Sequence, residues 1–221
     1  FRADHVIAAL PARSLATVFQ ASQLAASPDG TDPRRHSAAC TGLLQQIPFS
    51  SVAVVGFGLK SEGLLWPKSV DGFGYLVPPS EGQDVLGTLM ESRTFPGAQP
   101  PSLTRLTVMI GRPEHLSQSE DHLAEVAQTT LQRHLGLCFH TGRAASGVQF
   151  TTEWRMVAVQ RHCIPQYTLG HKKRVATLSD LLARSMPQLS LAGQSYVGVG
   201  VNDTIRISRE VALELKKKWA S

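Results

Sequence analysis

Cysteines are scarce in this sequence, and their spacing matches no metal or disulfide motif. Cys40, Cys138 and Cys163 are an odd number and include no CxxC pair. Disulfide-rich secreted scaffolds and structural zinc sites both depend on such paired cysteines. We therefore expect neither a disulfide framework nor a metal site, and a reduced or mixed redox compartment.

Long apolar runs are also missing. The longest are residues 51–55 and the segment from Leu189 to Val201, and both are shorter than the roughly 20 residues of a membrane-spanning helix. The first five residues resemble neither a secretory signal nor a transit peptide. Because 42% of the residues are hydrophobic and 18% are charged, we expect a globular chain with a buried core.

Basic residues exceed acidic ones, but aromatic residues are not interleaved with them. The 22 Lys and Arg against 17 Asp and Glu give a net charge of +5, which is compatible with nucleic acid, anionic lipid or an acidic ligand. The basic clusters at 161–162, 171–174 and 216–218 contain no base-stacking aromatics. This pattern favours solvated helix ends, especially helix C-termini, and leaves a basic binding module as the non-enzyme alternative.

What the sequence does contain is a mixture of helix and strand signals. Val6–Leu10 is typical of a short strand, and residues 12–20 of a helix that begins after Pro11. Residues 25–35 have loop composition, and a helix follows up to about Gln46. An antiparallel meander is then predicted, with strands at Ser51–Leu59, Phe73–Val77, Val85–Met90 and Leu103–Ile110.

The second half predicts three helices and two strands. Residues 117–120 have the form of a capping box, and apolar residues then recur at helical spacing up to Gly136. Next, the sequence predicts a strand at Phe150–Val159 and a structured loop at Cys163–His171. A helix then buries Leu178, Leu181 and Leu182. The last strand covers residues 189–193, and Asn202 with Asp203 is predicted to cap a final helix with Ile207, Val211 and Leu215 on one face.

A glycine-rich turn at Gly198–Asp203 is the sharpest local motif. It is a poor dinucleotide fingerprint, because Asp203 stands where a third glycine would be needed and its carboxylate would repel a pyrophosphate. Two interpretations remain: an ordinary capped helix after a tight turn, or a helix N-terminus that approaches a ring whose negative charge appears on reduction. His162 and His171 are interpreted as structural rather than catalytic.

Two longer segments resemble the C-terminal signatures of animal-type, oxygen-dependent protoporphyrinogen oxidases. They are residues 163–171, CIPQYTLGH, and residues 191–203, LAGQSYVGVGVND. Further segments are similar to the same family in the same order, namely residues 4–12, 51–55, 72–78 and 106–111. The resemblance therefore extends over nearly the whole chain.

This resemblance implies a mixed α/β (α+β) fold, part of a flavin amine-oxidase-like architecture with FAD as cofactor. Residues 1–20 would leave the FAD domain, residues 21–150 would belong to the substrate-binding domain with its antiparallel sheet, and residues 151–221 would return to the FAD domain. The implied flavin-lining residues are Val199, Gly200, Val201 and Asn202, which contribute their backbone. The implied substrate-pocket residues are Phe73, Leu76 and Met109, and no side chain is assigned a catalytic role.

The reaction implied by the resemblance is the six-electron oxidation of protoporphyrinogen IX to protoporphyrin IX by molecular oxygen, in heme biosynthesis. The resemblance further implies a mitochondrial inner-membrane location, peripheral membrane association and a homodimer in the full-length enzyme. The dinucleotide fingerprint, the membrane-binding helices and an arginine near a substrate propionate belong to upstream sequence in the family. We therefore expect the isolated segment to be inactive.

Some positions depart from the family pattern, and alternatives to the implied function stay open. Lys172, Thr204 and Ser208 stand where relatives often have tryptophan, cysteine and glycine. The alternatives are a truncated, non-catalytic product of the same enzyme, or another flavin oxidase or desaturase of the superfamily, acting on amines or carotenoids.

Overall fold

The computed structural model describes residues 2–24, 33–63, 65–66, 70 and 72–220. The chain divides into two compact units: unit 1 comprises residues 1–50 and 164–221, and unit 2 comprises residues 51–163. These divisions differ from the predicted boundaries at 20/21 and 150/151. The assignment of FAD binding and substrate binding to the two units remains a prediction. Most of the predicted 25–35 loop lies outside the described residues.

The described elements include both helices and strands. The helices are α1 (Ala12–Leu24), α2 (Pro33–Gln45), α3 (Glu91–Thr94), α4 (Glu120–Leu135), α5 (His171–Ser185) and α6 (Val201–Ala220). The strands are β1 (Val6–Ala8), β2 (Phe49–Ser61), β3 (Gly74–Leu76), β4 (Val85–Leu89), β5 (Leu103–Ile110), β6 (Leu137–Cys138), β7 (Arg143–Ala144), β8 (Phe150–Pro165) and β9 (Leu189–Leu191). Together with the antiparallel main sheet, they confirm the expected mixed α/β fold class.

Unit 2 is built on a five-stranded sheet in the order β3, β4, β5, β2, β8. The pairings of β3 with β4, β4 with β5 and β5 with β2 are antiparallel. The predicted meander is correct for β3 to β5 but wrong for β2. Strand β2 pairs with β5 instead of with β3, its neighbour in sequence, and β3 lies at the edge of the sheet beyond β4.

One face of this sheet forms the core of unit 2. Alternate residues of β2 and β5 are fully buried there, as the period of two in a strand requires. Helix α4 also contributes a buried stripe to this core. The buried hydrophobic residues of the three elements are Ala53, Val55, Phe57 and Leu59; Leu106, Val108 and Ile110; and Leu123, Ala124, Ala127, Leu131 and Leu135.

Helix α4 begins later than predicted. Its N-cap is Ser119, whose extended backbone lets the hydroxyl accept a hydrogen bond from the His122 N–H at 3.2 Å. The predicted capping box at Ser117 is therefore wrong, because backbone turns between Pro113 and Gln118 hold Ser117 outside the cap position. The predicted end is confirmed: Gly136 is left-handed at φ +68° and its N–H bonds back to the last helical turn.

Unit 1 packs helices α1, α2 and α5 around a separate apolar core. Ala12, Leu15, Leu44, Leu178 and Leu182 are all buried in it. Strand β1 pairs in parallel with β9, which joins residues 6–8 to residues 189–191. The predicted strand at residues 189–193 is shorter than expected, because Gly193 takes a positive φ of 107° that ends the extended run.

Three further boundaries differ from the predictions. Strand β8 extends to Pro165, so the predicted loop at 163–171 shrinks to residues 166–170. Helix α6 begins at Val201, so Asn202 and Asp203 lie in its first turn instead of capping it. The basic cluster at 171–174 occupies the first turn of α5, where cations oppose the helix dipole, whereas Lys217 and Lys218 lie in the last turn of α6 as expected.

Among the residues that the structure describes, no helix is both long enough and apolar enough to cross a membrane.

Candidate functional site

The face of the unit 2 sheet opposite α4, here called the open face, carries the residues predicted to line a substrate pocket. Cross-strand partners in an antiparallel sheet point to the same side and lie about 5 Å apart. The register therefore arranges three rows on this face: Leu76, Gly87, Met109 and Val54; Gly74, Leu89, Thr107 and Gly56; and Arg105 with Gly58.

Each row of the open face contains at least one glycine, which keeps the surface shallow. Gly74 and Gly87 have φ values of +152° and +157°, and a Cβ on either would overlap a carbonyl oxygen of the neighbouring strand. Glycine at these two positions permits the close approach of β3 to β4. The result is a sheet surface with side chains around glycine gaps, the kind of surface on which a broad ring can lie.

The structure brings two of the three predicted substrate-pocket residues together. Leu76 and Met109 lie on either side of Gly87 in the first row, and Leu76 Cδ2 is 3.2 Å from the position of a Cβ on Gly87. Leu76 is 77% exposed, although it is a large apolar residue. Phe73 precedes β3 and is also exposed, with its carbonyl accepting a hydrogen bond from the Met90 N–H at 2.8 Å.

Trp154 is a prominent residue of the open face that the sequence analysis did not identify. Its five-membered ring occupies the space where a side chain on Gly58 would be, and its Cζ3 lies 3.3 Å from the position of a Cβ on Gly56. The indole therefore lies along β2 over both glycines, with Met156 beside it. The signal that could have revealed it is the Gly56-Phe57-Gly58 alternation in β2, which leaves one face without side chains.

Polar groups border the apolar part of the open face. The Thr107 hydroxyl donates a hydrogen bond to Glu91 Oε1, while Glu91 Oε2 is buried and has no hydrogen-bond partner. The backbone N–H of Arg105 donates to the Ser92 hydroxyl at 2.7 Å. The Nε atom of Arg105 is buried and likewise has no hydrogen-bond partner.

The predicted flavin-lining residues form a turn at the start of α6 in unit 1. Val199, Gly200, Val201 and Asn202 are all exposed, and Val201 is 76% exposed. The Thr204 N–H donates a hydrogen bond to the Gly200 carbonyl at 3.0 Å, which forms the first turn of α6. The first backbone N–H groups of the helix have no intrahelical acceptor and point out of its end.

Asp203 lies against the glycines of this turn. A Cβ on Gly198 would overlap the Asp203 side chain, and Asp203 Oδ2 is 3.5 Å from the position of a Cβ on Gly200. A negative group in the first turn stabilises the helix through its dipole. The position of Asp203 therefore requires glycine at 198, whereas a Cβ on Gly200 would make only an ordinary van der Waals contact with it.

The two signature segments contact each other within unit 1. His171 Nε2 donates to the Tyr196 carbonyl at 2.9 Å, and the Tyr167 ring stacks on the His171 ring at a centroid distance of 3.9 Å. Tyr167 also donates its hydroxyl hydrogen bond to the Gln194 carbonyl. These contacts give His171 a structural role in the turn that precedes α6.

Burial raises the pKa of both tyrosines in this region. The Tyr196 hydroxyl is deeply buried without a hydrogen-bond partner, and desolvation raises its pKa strongly. For Tyr167, burial is the main cause of the raised pKa, and the negative charge of Asp203 adds to it. Both phenols are therefore neutral at physiological pH.

A histidine pair lies away from the open face. His115 Nδ1 and His122 Nε2 are 3.0 Å apart, and Asp84 lies 3.3 Å from the other nitrogen of His115. Within the described ranges, no group of three or more His, Cys, Asp or Glu side chains is arranged to hold a metal ion. Cys40, Cys138 and Cys163 form no disulfide.

Comparison with known proteins identifies the relatives of this chain. Protoporphyrinogen oxidases of Macaca fascicularis and Homo sapiens are 35% and 34% identical over 215 residues, which is 96% of this chain and 40% of each relative. The Bos taurus protoporphyrinogen oxidase is 36% identical over 212 residues, again with 40% of its length covered. The chain thus spans about 40% of the length of these relatives.

Solved structures share the fold. A candidate protoporphyrinogen oxidase from Exiguobacterium sp. 255-15 superposes with a TM-score of 0.69 at 20% identity, over 98% of this chain and 42% of that one. Putrescine oxidase superposes with a TM-score of 0.54 at 13% identity, over 96% and 42% of the two chains. These likenesses confirm the expected flavin amine-oxidase-like fold.

The family model described as flavin containing amine oxidoreductase matches residues 1–215. It confirms the expectation of FAD as the cofactor at the level of the family. This chain belongs to the flavin-containing amine oxidoreductase family.

Proposed function

We propose that this chain forms the C-terminal portion of an oxygen-dependent protoporphyrinogen oxidase, which converts protoporphyrinogen IX to protoporphyrin IX in heme biosynthesis. The observation that carries the proposal is the 34–36% identity to mammalian protoporphyrinogen oxidases over at least 95% of the chain. The mitochondrial inner membrane, homodimer formation and peripheral membrane association are part of the proposal. They derive from the resemblance to the animal enzymes.

The residues of unit 1 fit the ring portion of FAD. The exposed turn at Val199–Asn202 has no side chain at Gly200, so a flat ring can approach the backbone there. The free N–H groups at the start of α6 would donate to the ring. A bound flavin would supply the acceptor for hydride from the macrocycle and would pass the electrons on to oxygen.

The helix end would make charge on the reduced ring less costly. Backbone N–H groups and the positive end of the helix dipole favour negative charge placed next to them. Asp203 lies beside the same glycines, which makes the turn unsuited to a pyrophosphate. The turn therefore supports ring binding and does not support phosphate binding.

The open face of unit 2 would hold the macrocycle. Leu76, Met109 and Phe73 would contact its apolar surface, exclude water and orient the carbon that loses hydride. No side chain of this chain is assigned a proton-transfer role. Positioning is thus the main contribution of the open face to the reaction.

Oxidation of amines or carotenoids by another member of the superfamily is the competing function. The fold similarity to putrescine oxidase shows that the same architecture occurs in an amine oxidase, but that similarity is limited to the fold. An apolar open face with glycine gaps favours a broad ring over a small polar amine. The basic binding module has no comparable support, because the clusters at 171–174 and 216–218 lie at separate helix ends of unit 1.

Replacement of Phe73 tests the proposal. In the FAD-loaded oxidase that contains this chain, Phe73→Asp is expected to lower kcat/KM for protoporphyrinogen by at least about tenfold, because a charge would disrupt apolar contact with the substrate. Oxygen-dependent formation of fluorescent protoporphyrin measures the rate. Phe95→Asp is the control, since Phe95 is similarly exposed at the end of α3 and is assigned no role. Turnover unchanged by Phe73→Asp would contradict the proposed pocket.

A further inference from the structure

The third row of the open face combines an exposed aromatic ring with a cation. Arg105 and Gly58 are direct cross-strand partners, and the Trp154 indole occupies the space above Gly58. The side chain of Arg105 therefore leaves β5 on the same face as the indole and next to it. This pair lies one row beyond Thr107 and two rows beyond Met109.

Arg105 lacks an anionic partner within the described part of unit 2. No carboxylate of those residues forms an ion pair with its guanidinium, and its buried Nε has no hydrogen-bond partner. Glu91 is engaged with Thr107 instead. A buried Nε–H without an acceptor is costly, so a ligand that supplies a carboxylate would be favoured there.

Trp154 gives this part of the face a flat apolar surface. The indole is backed by the bare backbone of Gly56 and Gly58 and remains 40% exposed. Its neighbour Met156 is 57% exposed and adds a polarizable side chain beside the ring. A flat unsaturated ring would bury apolar area against this surface. A carboxylate on that ring would pair with the adjacent Arg105 guanidinium.

We propose that Trp154 and Arg105 form a subsite for the carboxylate-bearing edge of a cyclic tetrapyrrole. The indole contacts the macrocycle, and the Arg105 guanidinium pairs with one propionate through its planar set of N–H donors. This inference rests on the proposed function and adds to it two residues that determine substrate specificity. It also sets an orientation, because the propionate edge is directed to the third row and the opposite edge to Leu76 and Met109.

The binding test uses the chain itself with protoporphyrin IX, the stable flat product, and with its dimethyl ester, which has no free carboxylate. Tryptophan quenching and the shift of the porphyrin absorption band measure Kd. Trp154→Ala is expected to weaken binding of both probes about tenfold, and Trp154→Phe by about threefold or less. Arg105→Gln is expected to weaken binding of the diacid about tenfold and to leave the ester unchanged.

Trp219→Ala provides a matched control, because Trp219 is an exposed tryptophan on α6 of unit 1. Arg105→Gln retains the backbone N–H that bonds to Ser92, so its thermal midpoint should stay near that of the unmodified chain. Equal losses for diacid and ester in Arg105→Gln, unchanged affinity in Trp154→Ala, or no binding by the unmodified chain would each overturn the subsite.

Kinetics separate this inference from the proposed function. In the FAD-loaded oxidase that contains this chain, Arg105→Gln should raise KM for protoporphyrinogen about tenfold with a smaller change in kcat. Turnover with an unchanged KM would overturn the subsite and leave the oxidase assignment standing. No turnover of protoporphyrinogen by the unmodified oxidase, with the binding differences intact, would overturn the oxidase assignment instead.

Discussion

A chain of side-chain hydrogen bonds connects the sheet of unit 2 to α4. The Thr88 hydroxyl donates to the Tyr75 oxygen at 3.0 Å, and Tyr75 lies 2.8 Å from His134 Nδ1. His134 Nε2 lies 2.8 Å from Gln83 Oε1. Since an amide oxygen only accepts, Nε2 carries the proton and Nδ1 accepts from Tyr75. The neutral imidazole therefore satisfies both of its neighbours.

This arrangement predicts a pH dependence of stability. Burial, together with the charge of Arg133, holds the pKa of His134 below its usual value of 6.5. As pH falls below 6.5 the unfolded state binds the proton first, so the contribution of His134 to stability is complete above that pH and is lost on acidification toward the folded pKa. We expect the unfolding free energy, measured with urea, to decrease between pH 7 and pH 5.

His134→Gln isolates this contribution. The variant cannot titrate at that position, while the other histidines are unchanged, so its unfolding free energy should decrease less over the same pH range. An equal decrease in both proteins would show that His134 does not contribute.

Site residues could be predicted from sequence where they lie in a segment that resembles a family, and not where their position depends on strand register. Leu76 and Met109 lie in segments that resemble a family, and the structure places both on the open face. Trp154 lies within the predicted strand and shares one face of β8 with Met156 and Ala158, but this alternation does not show which surface of the sheet that face joins. Its role depends on the register between strands far apart in sequence, and no local pattern encodes that register.

At the scale of single elements, α4 offers a direct test of helix capping. Ser119→Ala removes the hydroxyl that accepts the His122 N–H and should lower the unfolding free energy by about 1 kcal/mol. Ser117→Ala is the matched control, because Ser117 makes only a long 3.4 Å bond to the Glu114 carbonyl in an exposed turn. Urea unfolding of both variants measures the difference. A larger loss for Ser117→Ala would restore the capping-box interpretation.

The existence of elements was easier to predict than their ends. Helix α4 was predictable because a complete apolar stripe precedes a glycine that can adopt a positive φ. The start of α6 was predicted too late, because Asn202 and Asp203 are both common N-cap residues. The helix begins at Val201, directly after Gly200. Strand β8 was predicted six residues too short, because its polar end has no apolar alternation to mark it.

At the scale of the whole molecule, the two units differ in how their sheets are supported. The five strands of unit 2 cover an apolar core, whereas β1 and β9 form a two-stranded parallel pair with Val6 and Ile7 about half exposed. Parallel pairs are usually covered on both faces, and two strands alone are marginal. Support from sequence outside this chain would therefore change unit 1 more than unit 2.

Hydrogen exchange should reveal this difference. For the chain alone, we expect amides of β1 and β9 to exchange at least about tenfold faster than those of β5, because local opening costs less there. Mass spectrometry of peptides from the two regions measures the rates. Equal protection of β1 and β5 would contradict this view of unit 1.

The parallel pair also dictates an order of events during synthesis. All residues of unit 2 lie between the two halves of unit 1, and β1 has no partner until residues 189–191 have been made. Unit 2 can thus fold on the ribosome before residues 1–50 have their partner segment, which leaves Val6 and Ile7 accessible to chaperones or to aggregation. A pause in translation within the codons for residues 162–188 would lengthen that exposure and should reduce the yield of intact protein more than an equal pause near residue 30.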